Sequence, residues 1–182
     1  VPGEGLFAEI KTAKGTIVCQ LEYALTPMTV ASFVALAEGK HPYVTTVEKS
    51  KHFYDGLTFH RVAPDFVIQG GDPSGNGSGG PGYMFPEEIV PSLRHDKAGT
   101  MAMARTPARG SNGSQFYFTL KDTPFLDGDY TVFGHVVSGM DVVKSIQQGD
   151  KMESVTIVAK GKDAEAFDAV KVLEANKDKF KK

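Results

Sequence analysis

The sequence predicts an all-β domain, a barrel or a sandwich, on three observations. Short runs of apolar and polar alternation recur between turn residues, only two segments before residue 163 carry a helical period, and one long stretch is too glycine-rich for regular structure. A chain of 182 residues, 41% hydrophobic, suits one compact domain with an appendage and can bury a real core.

The elements follow in order. "LFAEIKTAKGTIVCQLEY" holds two alternating runs separated by "AKG", a hairpin signal. "TPMTVASFVALAEG" places Val30, Phe33, Val34 and Ala37 on one helical face, and Gly39 ends it. "LTFHRV" and "FVIQG" read as strands, and "GGDPSGNGSGGPGY" after them reads as a loop. "TMAMA", "SQFYFTL" and "YTVFGHVV" are further strands, then "SGMDVVKSIQQG" gives a second helix with Val142, Val143 and Ile146 inward, and "ESVTIVAKG" closes the series. From Asp163, "DAEAFDAVKVLEANKDKFKK" puts Phe167, Val170, Leu173 and Phe180 on one side, with acids early and lysines late as the helix dipole favours. It reads as one C-terminal helix outside the barrel, an extension or linker spanning 163–182 after a domain spanning 1–162. The role of this helix, and of the segment 41–52 between the first helix and "FYDG", is open.

Several functions are excluded by what is missing. A net charge of −2, from 20 basic and 22 acidic residues, gives no field for nucleic acid. No apolar stretch approaches the length of a membrane helix, so membrane insertion is not expected. The chain begins at Val1 without a charged-then-apolar leader, which reads as a processed or trimmed start and leaves the compartment open. Cys19 is the only cysteine and reads as a small buried hydrophobe. The five histidines show no metal-ligand spacing, so neither metal nor other cofactor is expected. "GNGSGG" fits a dinucleotide-binding pattern, but Pro81 and Gly82 follow where a helix should begin.

A dispersed set of residues remains. Arg61 stands in a run that otherwise reads as barrel wall, Gln69 follows on the neighbouring strand, and Gln115 opens "QFYF". Between them stand Phe66, Val67, Met103, Tyr117, Phe125 and Leu126. Strand alternation puts Gln115 and Tyr117 on one face and Phe116 and Phe118 on the other, so one face is core and the other is pocket.

"FHRV", "FVIQGGD", "MAMART", "NGSQFYF" and "FLDGDYTVFGHVVSGMDVV", in this order and spacing, resemble the cyclophilin family of peptidyl-prolyl cis-trans isomerases, particularly its bacterial members, over roughly Leu6 to Lys160. The resemblance implies a closed eight-stranded antiparallel β-barrel capped by two helices, with a site on its outer surface that binds X-Pro peptides. It matches Arg61 to the catalytic arginine, Gln69 and Gln115 to its polar anchors, and Phe66, Val67, Met103, Ala104, Tyr117, Phe125 and Leu126 to the proline pocket. Departures from many eukaryotic members include Phe125 for tryptophan, Tyr130 for histidine, Arg105 for asparagine, Tyr117 for phenylalanine and Val67 for methionine. The expected activity is rotation about X-Pro bonds in proline-containing peptides and unfolded proteins, by a monomer, with weakened binding of cyclosporin-type inhibitors. The alternative is a catalytically weak proline-binding chaperone or interaction module that uses the same pocket.

Overall fold

The computed structural model describes residues 3–181. Strands β1 (Gly5–Thr12) and β2 (Gly15–Leu21) form the expected hairpin, pairing from Leu6 opposite Leu21 to Thr12 opposite Gly15. Thr12 fixes the turn twice: its hydroxyl donates to the Gly15 carbonyl at 2.8 Å and accepts from the Lys14 amide at 3.2 Å. Helix α1 (Pro27–Glu38) starts on a proline and stops at Gly39. There φ is 71°, and a Cβ would lie 2.4 Å from the Ser50 carbonyl oxygen. Its first amides are capped from a distance, since the Glu88 carboxylate accepts from Met28 N at 3.1 Å and Thr29 N at 2.6 Å.

The remaining strands are β3 (Arg61–Ala63), β4 (Val67–Gly70), β5 (Thr100–Met103), β6 (Phe116–Thr119), β7 (Val132–Ser138) and β8 (Ser154–Lys160). Helix α2 (Met140–Ser145) lies between β7 and β8 and buries Val142 and Val143 as its period requires. All eight strands join one antiparallel sheet in the order β3-β4-β6-β5-β7-β2-β1-β8. One face carries the main core, where Ile10, Ile17, Ile68, Met101, Phe116, Phe118 and Phe133 are all fully enclosed with Phe33 of α1. Phe33 packs edge-on to Phe116 at 5.5 Å and tilted against Phe133 at 5.7 Å, so the helix plugs the hollow of the curved sheet.

The expected closure is not a ring of strand ladders. The sheet has two ends, β3 and β8, which do not pair with each other. Irregular backbone lies between them: Gly56 N donates to Met152 O at 2.7 Å, Met152 N to Leu57 O at 2.7 Å, and Phe59 N to Asp150 O at 2.8 Å, around an isolated bridge from Thr58 to Lys151. The edge strand β3 is only three residues long, too short to ladder across the gap.

The C-terminal segment also departs from one helix. It divides into α3 (Lys162–Glu165), α4 (Ala169–Ala175) and a 3-10 turn, Lys177–Lys179. The break falls where Asp168 adopts an extended conformation and its carboxylate accepts from Lys171 N at 3.1 Å, so a residue preferred at caps begins a second helix. The segment packs back onto the domain: Leu173 is fully buried in the main core, and Phe180 lies 5.1 Å from Phe85 and 5.4 Å from Tyr83 between ring centroids. Lys181 then exchanges two backbone hydrogen bonds with Met84.

Leu173→Ala should therefore destabilise the whole domain by about 2–5 kcal/mol, the range for a large-to-small change in a packed interior. Urea unfolding followed by tryptophan-free near-ultraviolet dichroism and by far-ultraviolet dichroism should give one transition, shifted equally in both. A separate early transition would mean that the segment unfolds alone.

Candidate active site

The site grows out of one transverse row of the sheet. Arg61 pairs across the β3–β4 hairpin with Gln69, Gln69 pairs with Tyr117 on β6, Tyr117 pairs with Ala102 on β5, and Ala102 pairs with Val132 on β7. Directly opposed residues on neighbouring strands point the same way, so all five share the face turned away from the main core. Val67, Ala102, Tyr117 and Val132 form a small second apolar cluster there, with Phe66, Ala104, Leu126 and Tyr130 packed around it. The β3–β4 turn is tight: Phe66 N donates to Ala63 O at 3.0 Å while Asp65 takes φ of 59°, a left-handed position that an aspartate tolerates better than most residues.

The polar members form a relay. The Arg61 guanidinium donates to Gln69 Oε1 at 3.2 Å, Gln69 Nε2 donates to Gln115 Oε1 at 3.0 Å, and Gln115 Nε2 donates to the carbonyls of Gly77 and Gly79, both at 3.0 Å. That glycine loop is itself pinned by Asp72, whose buried carboxylate accepts from Ser74 N at 2.8 Å, Asn76 N at 3.1 Å and Gly77 N. Burial raises the Asp72 pKa, but the amides of Ser74, Gly79, Gly77 and Asn76 outweigh it and leave the carboxyl below its ordinary 3.8. The loop's converging amides, which resemble an anion-binding nest in sequence, are thus filled by the protein's own carboxylate.

A cavity of about 220 Å³ opens on this face, lined by Arg61, Phe66, Val67, Gln69, Ala104, Arg105, Tyr117, Leu126 and Tyr130. The expected site residues converge here with three exceptions. Met103 lies in the main core, because alternation along β5 turns Met101 and Met103 inward and Ala102 outward. Gln115 lines a neighbouring cavity of about 430 Å³, shared with the glycine loop, Thr106 and Ser111. Phe125 is 67% exposed and stacks on Phe66 at 5.9 Å, outside the smaller cavity. The segment 41–52 reaches the larger cavity indirectly: Thr45 N donates to Pro81 O at 2.9 Å and Thr46 Oγ1 to Gly80 O at 2.7 Å.

Arg105 separates the two cavities and lines both. Its donors face protein acceptors: Glu87 Oε2 at 3.0 Å, the Asp129 carbonyl at 2.8 and 3.0 Å, and the Thr106 carbonyl at 2.9 Å. The guanidinium also lies 4.7 Å from the Tyr130 ring centre, a cation–π contact. Its hydrogen-bonding capacity is thus largely spent within the protein. Glu87 was not visible as part of the site in sequence, and neither were the small outward residues Ala102 and Val132; strand alternation could have supplied Ala102.

The outer face of the curved sheet thus carries a cavity bounded by apolar side chains and by the exposed Arg61. The chain belongs to the family described as cyclophilin type peptidyl-prolyl cis-trans isomerase/CLD, which matches residues 7–175. It is 46% identical over 148 residues to peptidyl-prolyl cis-trans isomerase B of Streptomyces anulatus, covering 79% of this chain and 84% of that protein. It is 42% identical over 151 residues to a peptidyl-prolyl cis-trans isomerase of Helicobacter pylori, covering 82% and 85%. Among solved structures, a cyclophilin type isomerase of Cryptosporidium parvum superposes with TM-score 0.72 at 27% identity, over 85% of this chain and 98% of that one. A second structure of that protein, determined in the presence of the dipeptide Ala-Pro, gives TM-score 0.69 at 28% identity, over 86% and 99%.

Because the folded-state pKa of Asp72 is depressed, its contribution to stability is fully present above the unfolded value of 3.8 and is lost as pH falls through the lower folded value. Asp72→Asn should be less stable than wild type at pH 7, and the gap should narrow only below about pH 4. Thermal unfolding of both proteins across pH 2–7 checks this; a gap that closes near pH 6 would assign the effect to another group.

Proposed function

We propose that the chain catalyses cis–trans isomerisation of X-Pro bonds, with the proline ring in the smaller cavity and Arg61 directed at the amide being twisted. The observation that carries this reading is the transverse row that places an exposed guanidinium at a cavity of about 220 Å³ walled by Phe66, Val67, Tyr117 and Leu126. The Ala-Pro dipeptide present with the Cryptosporidium relative supports a proline-containing ligand of the same class here. We further infer that the backbone seam between residues 56–59 and 149–152 completes the barrel.

An X-Pro bond is held planar by resonance, with a barrier of about 18–20 kcal/mol. No bond need break. In the twisted amide the nitrogen regains a localised lone pair, and a donor aimed at it stabilises that form over the planar ground state. Arg61 has five N–H donors, of which one is engaged by Gln69 among the described residues. The relay through Gln115 to the glycine loop holds that donor in place before substrate arrives, so little reorganisation accompanies the twist.

Arg61 does not suffice alone. A million-fold acceleration corresponds to about 8 kcal/mol, and one preorganised donor supplies about 3–4. The rest is placement: Phe66, Leu126 and Tyr117 restrain the ring while the residue before it swings. Nothing in this scheme titrates near neutrality. His60 beside Arg61 has its pKa lowered from 6.5, chiefly by burial, with Asp72 opposing and Arg61 reinforcing the shift.

Arg61→Ala should lower kcat and kcat/KM together by about 100- to 1000-fold while peptide affinity stays within a few-fold, and Arg61→Lys should recover little. Isomer exchange followed by NMR on a short X-Pro peptide measures this; a folded Arg61→Ala protein with near-native kcat would leave a proline-binding module instead. Wild-type kcat/KM should be flat from about pH 7 to 8, since arginine stays charged and His60 is already neutral there. A bell centred on neutrality would implicate a general acid or base.

Phe125 offers an exposed ring without the indole N–H donor of a tryptophan. Phe125→Trp should therefore strengthen cyclosporin inhibition several-fold, by about one hydrogen bond of 0.5–1.5 kcal/mol. An unchanged inhibition curve would remove this account of the substitution.

A further inference from the structure

Behind the pocket wall lies a group of three side chains that the isomerase reading does not use. His95 is fully buried, and every polar atom it has is engaged. Its backbone amide and its ring Nδ1 both meet Asp127 Oδ1, at 2.6 and 2.8 Å. Its carbonyl accepts from Thr123 N at 2.9 Å, and its Nε2 lies 2.7 Å from the Tyr117 hydroxyl. The two rings are also nearly parallel, at 14° with centroids 5.9 Å apart.

These contacts join two walls of the pocket. Tyr117 stands on β6, while Thr123 and Asp127 flank the 3-10 turn Pro124–Leu126 that carries Leu126 and Phe125. A carboxylate only accepts, so the Nδ1 position carries a proton. In the neutral ring Nε2 is then the acceptor and the tyrosine hydroxyl the donor. Burial tends to raise the Asp127 pKa, but hydrogen bonds from the His95 amide and ring bring it below the ordinary carboxylate value.

We propose that His95 and Asp127 are positioning residues of the proline pocket: Asp127 fixes the tautomer of His95, and His95 holds the Tyr117 ring and the Leu126 turn at the separation that a proline ring requires. Tyrosine at 117 is what makes the device possible, since phenylalanine has no hydroxyl for Nε2. The proposal rests on the pocket being the proline site.

Long-range nitrogen–proton NMR of the uniformly labelled protein at pH 7 should find His95 protonated on Nδ1 and bare on Nε2. A proton on Nε2, in either charge state, overturns the proposal. Asp127→Ala removes the oxygen that accepts from both the His95 amide and Nδ1, so the ring proton should no longer be confined to Nδ1 and the peptide KM should rise, with kcat less affected. His95→Phe should raise KM about five- to tenfold in wild type and less than about twofold in Tyr117→Phe, because the bond it removes is already absent. Equal effects in both backgrounds, or a loss confined to kcat, would overturn the positioning role. Should His95→Phe fail to fold, Asp127→Ala decides alone: an unchanged tautomer or an unchanged KM counts against the proposal. Wild-type protein that neither binds nor turns over X-Pro peptide would defeat the isomerase reading while leaving the tautomer result intact.

Discussion

The site depends above all on strand register. One transverse row, Arg61–Gln69–Tyr117–Ala102–Val132, crosses five strands on the outward face, while Ile68, Phe116, Phe118, Met101 and Phe133 face the core. A slip of β4 by one residue against β6 would exchange the two faces of β4 relative to the rest of the sheet. It would turn Ile68 outward and bury Gln69 without its partners. The core and the site are therefore specified together, and the apolar packing that stabilises the fold also keeps the polar row in place. The arginine sits on β3 because that is a sheet end. An edge strand has a neighbour on one side only, so its side chain has a neighbour to hold it and open space to act in.

Preorganisation of the guanidinium is built from neutral groups. Two glutamines carry the constraint from Arg61 to the carbonyls of Gly77 and Gly79, and only at the far end does a charge appear, on Asp72. A carboxylate placed directly against Arg61 would hold it more tightly, but it would offset the positive field that the proposed role of Arg61 relies on. Gly79 is required by the closeness of the loop to its anchor: a Cβ there would fall 2.1 Å from Asp72 Oδ1. Gly75 and Gly77 serve the loop differently, with φ of 72° and 91° in the left-handed region that favours glycine.

Two adjacent glutamates connect the scaffold to the other side of the pocket. Glu88 caps the amide end of α1, and Glu87 holds Arg105, whose side chain is 7% exposed against 8% for the glutamate. Neighbouring residues in an extended segment point in opposite directions. These two neighbours therefore tie the plug helix to the cation that stacks on Tyr130. Removing either member of the Arg105–Glu87 pair would leave a buried charge, which costs far more than the pair contributes when intact. The departure from asparagine at 105 is accordingly tied to the glutamate at 87, and the two are one feature of the site.

The parts of this arrangement legible in the sequence are those with a regular pattern. Alternation in "QFYF" separates Tyr117 from Phe116 and Phe118, because successive side chains leave a strand on opposite faces, whereas the plug helix, buried at every position from Met28 to Ala37, is marked by the unbroken run of apolar and small residues over that stretch, between Pro27 and Gly39. The family motifs added the identities of the pocket residues, and the same alternation applied to "TMAM" would have moved Met103 into the core. What could not be read is held by side-chain to backbone bonds between irregular segments. Glu87 meets Arg105 across a stretch without repeats, His95 is one histidine among five until the 123–127 turn folds against it, and Asp168 looks like a helix residue until its carboxylate accepts from Lys171 N. Such contacts leave no spacing rule, since each depends on where two loops meet after the sheet has formed. The row on the sheet is therefore visible beforehand, whereas the clamps that tune its pocket emerge only from the fold that the row helps to define.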